Sequence, residues 1–273
     1  MSGTPPGQAR QPLVWLLLGK PPERTPVLPD VIALLTAEGS DVRVHVDAVD
    51  APLPERLTDA DAVVLRGLRR STLMAVAELE AQGLRCCNPA RSTLLTRDRG
   101  LVQQQLSDAG IPVPSATTVS DADQARAWAA GHAVVVKVNS IDPDVAKAIV
   151  RWDDPGTMQP PAAPGPYLVQ HWVPGDGIDR KLYVIGSKVA GLLKPWSTAR
   201  RRAGTEFDPP AHLRRIALAV GRTLQLQIYG VDIVEGDDGP VVVDVNAFPS
   251  CNGVPGAATA IADTLLAYAR AGR

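Results

Sequence analysis

The sequence is short of several features that would assign it to a specialised class of protein. It has only three cysteines in 273 residues, and two of them, Cys86 and Cys87, are adjacent while Cys251 is far away. That spacing is not typical of a secreted disulfide framework. The formal net charge of −1 indicates neither a nucleic-acid nor a membrane-surface partner. We therefore expect a cytoplasmic protein with no nucleic-acid or membrane partner.

Long apolar runs and metal-spaced histidines are also missing. The run Leu13–Leu18 is too short for a membrane span or a signal-peptide core. None of the four histidines falls in a metal-spaced pair, which argues against a zinc site. The first twelve residues, rich in Pro, Gly and Ser, are expected to form a disordered leader. What remains is the composition of an ordinary globular protein, long enough for two domains.

Residues 13–96 alternate between strand-like and helix-like patterns. The predicted strands are Leu13–Leu18, Asp41–Val46, Ala62–Arg66 and Leu84–Cys87, and the predicted helices are Pro29–Glu38 and Ser71–Gln82. Such alternation predicts a parallel α/β domain. No G-x-G-x-x-G follows the first strand, so the dinucleotide fingerprint is absent. A supporting or substrate-side role is favoured for this domain.

Two apolar runs near the C-terminus predict a β-hairpin. Val231–Val234 and Val241–Val245 are joined by the turn Glu235–Pro240, which contains glycine. The second run carries Asp244 and, after one intervening residue, Asn246. Because strand side chains alternate between faces, these two point the same way.

Asp232 lies on the partner strand, where pairing would bring it near Asp244 and Asn246. Two carboxylates and an amide oxygen form a set of hard ligands suited to Mg²⁺. The alternative is ordinary turn chemistry at a strand end. An aspartate flanked by Val243 and Val245 needs a partner to offset its desolvation, which favours the metal.

Basic residues lie upstream of the hairpin in strand-like segments. Lys137 lies inside the apolar run Ala133–Val138, where it either meets a phosphate or reaches out at the strand edge. Lys181 and Lys194 lie on neighbouring predicted strands and either face a shared cleft or are solvated strand ends. Before these strands, Ser120 is the predicted N-cap of a helix that runs to Ala130.

Several motifs in order resemble the ATP-grasp superfamily, especially its RimK-like and glutathione-synthetase-like ligases. The motifs are Asp98-Arg99 before a helix ending in Ala-Gly-Ile-Pro-Val-Pro, then Val-Val-Val-Lys, Tyr-Leu-Val-Gln-His-Trp-Val, Gly-Ile-Asp-Arg-Lys-Leu-Tyr-Val-Ile-Gly, and Gly-Val-Asp-Ile-Val before Val-Asp-Val-Asn-Ala-Phe-Pro. The resemblance covers about residues 90–270. It implies a pre-ATP-grasp α/β domain over 13–96 and a two-lobed ATP-grasp domain over 97–273. Residues 97–170 would form the smaller, nucleotide-covering lobe, and 171–273 the metal and substrate lobe.

The resemblance also implies a site for ATP and Mg²⁺. The implied magnesium ligands are Asp232, Asp244 and Asn246. The implied nucleotide-binding residues are Arg99, Lys137, Asp179 near the ribose, and a hinge whose backbone holds adenine, Gln170, His171, Trp172 and Val173. The implied catalytic cations are Lys181, Lys194 and Arg202. The implied acceptor-binding residues are Arg200, Arg201, Ser250, Asn252 and Gly253.

The family reaction implied is activation of a carboxylate by ATP, followed by attack of an amine to form an amide. The substrate would be an amino acid or a small peptide-like molecule, and a homodimer is common among relatives. Inositol-polyphosphate kinases share the Asp-x-Asn-x-Phe-Pro ending, so a small-molecule kinase stays open. An inactive nucleotide-binding scaffold is a third possibility. For the three arginines 200–202, the alternative to binding the acceptor or the transferred phosphate is a run of charges exposed to solvent.

The sequence departs from the family pattern at three places. Arg99 stands where most relatives have lysine, and the two are not interchangeable in how they bind phosphate. His171 replaces the hinge glutamate. The segment 139–147, after Lys137, contains no glycine, whereas relatives have a glycine-rich loop over the phosphates. Ser140 and Lys147 are the candidates to replace that loop.

Overall fold

The computed structural model describes residues 10–49, 51–140, 148–154, 156, 159–196 and 204–271. In these ranges the chain forms one parallel and two antiparallel sheets, with helices packed against them. The predicted class, a parallel α/β layer followed by α+β lobes, is confirmed. Every helix in the same ranges is too short or too polar to cross a membrane.

The parallel sheet is formed by the first part of the chain, and its strand order is β2-β1-β3-β4. Its elements are β1 (Leu13–Leu18), α1 (Leu28–Ala37), β2 (Asp41–Val46), β3 (Ala62–Arg66), α2 (Arg70–Glu80), β4 (Cys86–Cys87) and α3 (Ala90–Leu95). All six residues of β1 are buried, as expected for a central strand covered on both faces. The predicted strands and helices are thus present, with ends shifted by up to two residues.

A second, four-stranded sheet has the order β5-β8-β6-β7. Its region comprises α4 (Arg99–Asp108), β5 (Ala116–Val119), α5 (Ala122–Ala129), β6 (Val134–Val138), β7 (Ile149–Trp152) and β8 (Tyr167–His171). The N-cap of α5 is Asp121, whose carboxylate accepts hydrogen bonds from the amides of Asp123 and Gln124. The prediction of Ser120 as N-cap is therefore wrong by one residue, because the aspartate accepts from two amides of the first turn that have no intrahelical acceptor.

The third sheet has five antiparallel strands in the order β11-β10-β9-β12-β13. Its elements are β9 (Ile178–Ile185), β10 (Lys188–Pro195), β11 (Thr205–Phe207), α6 (Ala211–Leu224), β12 (Ile228–Gly236), β13 (Gly239–Ala247) and α7 (Ala257–Arg270). The predicted hairpin is present, and its two strands extend beyond the apolar runs Val231–Val234 and Val241–Val245. Only Asp237 and Asp238 separate the strands, where Gly239 adopts a φ of +106°.

The C-terminal helix α7 joins the parallel sheet to the five-stranded sheet. Leu35 of α1, Leu16 of β1, Ile261 and Leu265 of α7, and Ile228 of β12 are all buried in one hydrophobic core. The last helix therefore packs against the first layer of the chain. The domain boundary at residue 97 stays a prediction, and the interface between the layers is a continuous core.

Asn88 fixes the same interface through backbone hydrogen bonds. Its fully buried carboxamide accepts from the amides of Gln227 and Ile228 at 2.8 and 3.0 Å and donates to the Ile228 carbonyl at 2.5 Å. Asn88→Ala is expected to lower the free energy of unfolding by about 3 kcal/mol, because buried backbone groups lose their partners. Urea unfolding measures this, with the exposed Asn252→Ala as control. Equal stability of the two variants would contradict the assignment.

Candidate active site

A row of three charged side chains crosses the five-stranded sheet. Lys181 of β9 is the register partner of Asp232 on β12, and Asp232 is in turn the register partner of Asp244 on β13. Directly opposed residues on antiparallel strands project from the same face. The expectation that hairpin pairing brings Asp232 to the side of Asp244 is thus met, and the register shifts only after this pair.

The row is held by an ion pair between Lys181 and Asp232. The Lys181 ammonium donates to Asp232 Oδ2, and the two side chains are 24% and 17% exposed. Burial raises the pKa of Asp232, and Asp244 raises it further against the opposing effect of Lys181. Burial by itself would lower the pKa of Lys181, but the charge and hydrogen bond of Asp232 raise it overall. A second cation beside the carboxylates would relieve this crowding of negative charge.

Asp244 is positioned by its two other neighbours. Asn246 Nδ2 donates to Asp244 Oδ2 at 3.0 Å, and Arg99 Nε lies 3.7 Å from Asp244 Oδ1. Arg99 is further fixed by a hydrogen bond from its guanidinium to the Val138 carbonyl at 2.8 Å. The hydrogen bond that Asn246 Nδ2 donates thus orients the side-chain amide. The Asn246 amide oxygen accepts no hydrogen bond from the described residues.

The donor set fits a magnesium ion. Asp232, Asp244 and Asn246 supply hard oxygen ligands from adjacent positions of one hairpin. Across the described ranges no three His, Cys, Asp or Glu side chains form a metal-sized cluster, and the third oxygen of this set comes from an asparagine. Mg²⁺ commonly keeps waters or substrate phosphates as its remaining ligands, which suits a small protein-derived set.

The row borders a cavity of about 570 Å³ between the parallel and five-stranded sheets. Its charged lining consists of Arg66, Arg97, Arg99, Lys181, Lys194, Asp232 and Asp244. Cations therefore outnumber carboxylates in this lining, as expected for a cavity that receives polyanionic ligands. The prediction that Lys181 and Lys194 face a shared cleft is met, because both border it.

Asp179 and Lys194 form the outer end of the site. They are register partners on β9 and β10, and the Trp196 indole donates to Asp179 Oδ1 at 2.7 Å. Burial and the nearby Lys181 lower the pKa of Lys194. Asp179 thus lies close to the catalytic cations predicted from the sequence, oriented by an aromatic side chain.

Lys137 is buried and hydrogen-bonded rather than reaching out at a strand edge. Its ammonium donates to the Val243 carbonyl at 2.6 Å and thereby links β6 to β13. Burial lowers its pKa, which the neighbouring Asp244 partly opposes. The strand-edge alternative is therefore wrong. Contact with a nucleotide stays a prediction, because Lys137 is not among the residues that line the 570 Å³ cavity.

The predicted adenine hinge is partly engaged in the four-stranded sheet. The amides of His171 and Trp172 donate to the carbonyls of Ser115 and Ala133 at 2.9 and 2.8 Å. The His171 ring packs against Trp128, with ring centroids 4.5 Å apart. These two amides are thus committed to the sheet, and the adenine hydrogen bonds predicted for this segment would need other backbone groups.

Gln170 is the hinge residue with a side chain directed into the protein. It is buried, and its Nε2 donates to Gln103 Oε1 at 2.9 Å, beside a narrow cavity that also touches Arg99 and Val243. Val173 packs near Gly236 at the end of the hairpin. A role of both residues in nucleotide binding stays a prediction.

The predicted acceptor residues are divided by the structure. Ser250 lines the large cavity, whereas Asn252 and Gly253 are exposed and do not border it. Arg200, Arg201 and Arg202 lie outside the described residues, as does Lys147. Cys251 is buried, and burial raises the pKa of its thiol to about 11, in agreement with a packing role.

Sequence reasoning missed a group of residues that border the cavity from the first layer. They are Arg66, Gly67, Thr93, Thr96 and Arg97. Arg66 had a detectable signal, because it ends a buried parallel strand, and ligands bind outside the carboxyl ends of such strands. The residues of α3 and the segment after it had none, since their position depends on how the layers pack.

Comparison with known proteins shows which family the chain is similar to. The family model of the RimK-like ATP-grasp domain matches residues 197–269, which include all three candidate magnesium ligands. The chain is similar to RimK-like ATP-grasp proteins. The similar solved structures include the RimK domain ATP-grasp protein of Sphaerobacter thermophilus, at 26% identity and a TM-score of 0.70, covering 93% of this chain and 99% of that one.

Two further proteins are similar to this chain. A probable alpha-L-glutamate ligase of Cellvibrio japonicus is 25% identical over 272 residues, covering 87% of this chain and 89% of the relative. The ATP-grasp ligase PsnB, solved with a phosphomimetic variant of its minimal precursor, Mg and ADP, matches in fold with a TM-score of 0.68 at 20% identity. That match covers 95% of this chain and 99% of PsnB.

Proposed function

We propose that this protein is an ADP-forming carboxylate–amine ligase that acts on an amino acid or a small peptide-like molecule. The observation that carries the proposal is the row of Lys181, Asp232 and Asp244 beside a large cationic cavity. The similarity to a probable glutamate ligase and to ligases of peptide precursors supports amide formation. Such a reaction needs positioned charges more than a protein nucleophile.

In the proposed first step, an oxygen of the substrate carboxylate attacks the γ-phosphorus of ATP. The bond to the β–γ bridging oxygen breaks, ADP leaves, and an acyl phosphate forms. Negative charge on the transferred group increases its attraction to nearby cations, and Arg99, Lys181 and Lys194 border the cavity where this charge would develop. In the second step, an amine attacks the acyl carbon, the amine loses a proton, and inorganic phosphate leaves.

Asp232, Asp244 and Asn246 would hold Mg²⁺ in this reaction. The bound ion would neutralise phosphate charge and orient the phosphates. The side chains themselves are already ordered by hydrogen bonds, since Lys181 holds Asp232 and the Asn246 amide holds Asp244. Little rearrangement of the protein is then required when the ligands bind, which is the basis of electrostatic preorganisation.

The proposal predicts transfer of oxygen from the acid to phosphate. The protein is incubated with Mg–ATP, an amine, and amino acids or short peptides labelled with ¹⁸O in their carboxyl groups. Because the carboxylate oxygen attacks phosphorus and stays with phosphate when the amine displaces it, ¹⁸O is expected in free inorganic phosphate. Mass spectrometry of the phosphate, with unlabelled acid as control, checks the result.

Other outcomes of this assay separate the alternatives. Label-free phosphate that stays on a hydroxyl of the acceptor would indicate the kinase reaction instead. Binding of ATP without any ADP release across the acid and amine pools would favour the nucleotide-binding scaffold. Hydroxylamine supplied as the amine gives an independent readout, because an acyl phosphate is trapped as a hydroxamate, whereas a phosphorylated hydroxyl is not.

A further inference from the structure

Tyr183 has a buried ring and a hydroxyl without a partner in the described part of the chain. The residue is 7% exposed, and its ring packs in the core between the parallel layer and the five-stranded sheet. Its hydroxyl forms no hydrogen bond within the described ranges, although the residue borders the 570 Å³ cavity. Unlike the enclosed Thr93 hydroxyl, it retains surface that a ligand can contact. Buried tyrosines usually pair their hydroxyl, as Tyr229 does with the Ala217 carbonyl at 2.8 Å, so the exception indicates a ligand.

Tyr183 lies next to the charged row that Lys181 forms with the two candidate magnesium carboxylates. It is the register partner of Gly230 on β12, and Gly230 is in turn the register partner of Asn246 on β13. Tyr183 follows Lys181 by two residues on β9, so both side chains project from the same face of the sheet. The two rows are therefore about 7 Å apart along the strands. Tyr183 is also close enough to Lys181 for the two groups to interact electrostatically.

Gly230 lets the chain after β13 close over this second row. A Cβ at Gly230 would lie 3.4 Å from Pro249 Cγ, so the proline ring packs directly on the glycine. Phe248, Pro249 and Ser250 thereby border the cavity on the side where Tyr183 lies. Phe248 adopts a φ of +42°, a conformation that a bulky residue keeps only where its surroundings require it. The segment 248–250 is therefore held in place at the edge of the site.

Most of the cavity lies on the Tyr183 side of the charged row. On this side the described residues of the five-stranded sheet contribute Tyr183, Gly230 and Asn246 to the lining, and on the other side only Lys194. With the phosphates and Mg²⁺ at the charged row, the space beside Tyr183 is left for the acid and the amine. Because an acyl phosphate joins the acyl carbon to the transferred phosphorus through one oxygen, the acyl group would lie between the row and the tyrosine.

We propose that the Tyr183 hydroxyl donates a hydrogen bond to the acyl oxygen in the second step of the ligation. The inference rests on the proposed ligase function and extends it by naming a catalytic residue. When the amine attacks the acyl carbon, the C–N bond forms and the carbonyl electron pair moves onto the acyl oxygen. The carbonyl then re-forms, the bond to phosphate breaks, phosphate leaves with the electron pair, and the amine loses a proton to solvent. A phenol is protonated at neutral pH and can donate to the oxyanion throughout.

Tyr183→Phe separates the two steps of the reaction. With a pool of L-amino acids and no amine, acyl-phosphate formation is followed as movement of ¹⁸O from the β–γ bridge of Mg–ATP to the other β-phosphate oxygens. Amide formation is followed as hydroxamate, with hydroxylamine as the amine. The variant is expected to retain isotope exchange within about 3-fold, because the acyl oxygen gains no charge in the first step. Hydroxamate formation is expected to be about 10- to 100-fold slower, because a donor to the oxyanion is lost.

Tyr268→Phe is the matched control. It makes the same change on α7, where the hydroxyl donates to the Cys86 carbonyl at 3.0 Å, and it is expected to leave both rates unchanged. Thermal unfolding shows whether the fold of each variant is intact. Tyr183→Phe is expected to unfold at no lower temperature than wild type, because the hydroxyl that it loses has no partner among the described residues. Tyr268→Phe, by contrast, loses a hydrogen bond and is expected to unfold at a lower temperature.

Three outcomes would overturn the inference. They are hydroxamate formation at the wild-type rate in Tyr183→Phe, an equal loss of isotope exchange and hydroxamate formation, and a wild type that forms no hydroxamate with the pool. Failure of the ligase function is distinguishable from failure of the tyrosine role. If the assay with labelled carboxyl groups finds no ¹⁸O in phosphate, the ligase function falls and the tyrosine role with it. If that transfer occurs but Tyr183→Phe keeps the wild-type rate of hydroxamate formation, only the tyrosine role falls.

Discussion

Asp244→Asn is expected to lower turnover with Mg–ATP by about 100- to 1,000-fold, the scale on which loss of one electrostatic group acts in an active site. Asp244 is central because three neighbours converge on it. It is the register partner of Asp232, it accepts from Asn246, and Arg99 lies 3.7 Å away. The asparagine has the same shape but removes the charge that would hold the magnesium ion.

The measurement is the rate of ADP release at saturating and at limiting Mg²⁺. A matched control is Asp238→Asn, which makes the same change in the exposed turn of the same hairpin and is expected to retain full activity. Excess Mg²⁺ is expected to recover part of the activity of Asp244→Asn, because the weakened site fills at higher concentration. Wild-type turnover in Asp244→Asn would remove the metal assignment altogether.

Local pattern was sufficient to predict the hairpin and the positions of its carboxylates. Alternation along β13 places Asp244 and Asn246 on one face, and antiparallel pairing brings Asp232 to the same face. The parallel layer was equally accessible, because its buried strands are continuous apolar runs punctuated by glycine. Both are properties of segments shorter than about ten residues, where sequence and conformation are closely linked.

The environment of Lys137 could not be predicted in the same way. Its hydrogen bond to the Val243 carbonyl joins residues 106 positions apart on two different sheets. No local pattern indicates which backbone carbonyl a buried ammonium will meet. The same holds for Thr93, which reaches the cavity because the first layer packs against the five-stranded sheet.

That two amides of the predicted hinge are used within the sheet could not be predicted either, for a related reason. The sequence Gln170-His171-Trp172 predicts a strand end, but not which neighbours use its amides. Because β8 is paired on both sides, by β5 and β6, its last residues and the one that follows are held by sheet hydrogen bonds. Backbone groups of an edge strand would have been available for a ligand, and a sequence does not reveal whether a strand is central or at an edge.

Lys181→Met is expected to lower both the stability of the protein and its activity. Removing one partner of a largely buried ion pair leaves the other charge uncompensated. Lys181 and Asp232 are 24% and 17% exposed, so we expect a loss of about 2 to 3 kcal/mol in the free energy of unfolding, below the range for fully buried pairs. Turnover is expected to fall about 100- to 1,000-fold, because a cation bordering the transferred phosphate is lost.

A double substitution tests whether the ion pair is the cause. Adding Asp232→Asn to Lys181→Met removes the unpaired carboxylate and is expected to restore most of the lost stability, while turnover stays low because a magnesium ligand is now missing as well. Urea unfolding of the four proteins in the cycle gives the coupling energy between the two side chains. Additive losses would show that the two residues do not act as a pair. Stability and catalysis are then separable at this site. The pair stabilises the fold because its two charges neutralise each other. In the proposed reaction, by contrast, Lys181 acts on the transferred phosphate and Asp232 on the magnesium ion.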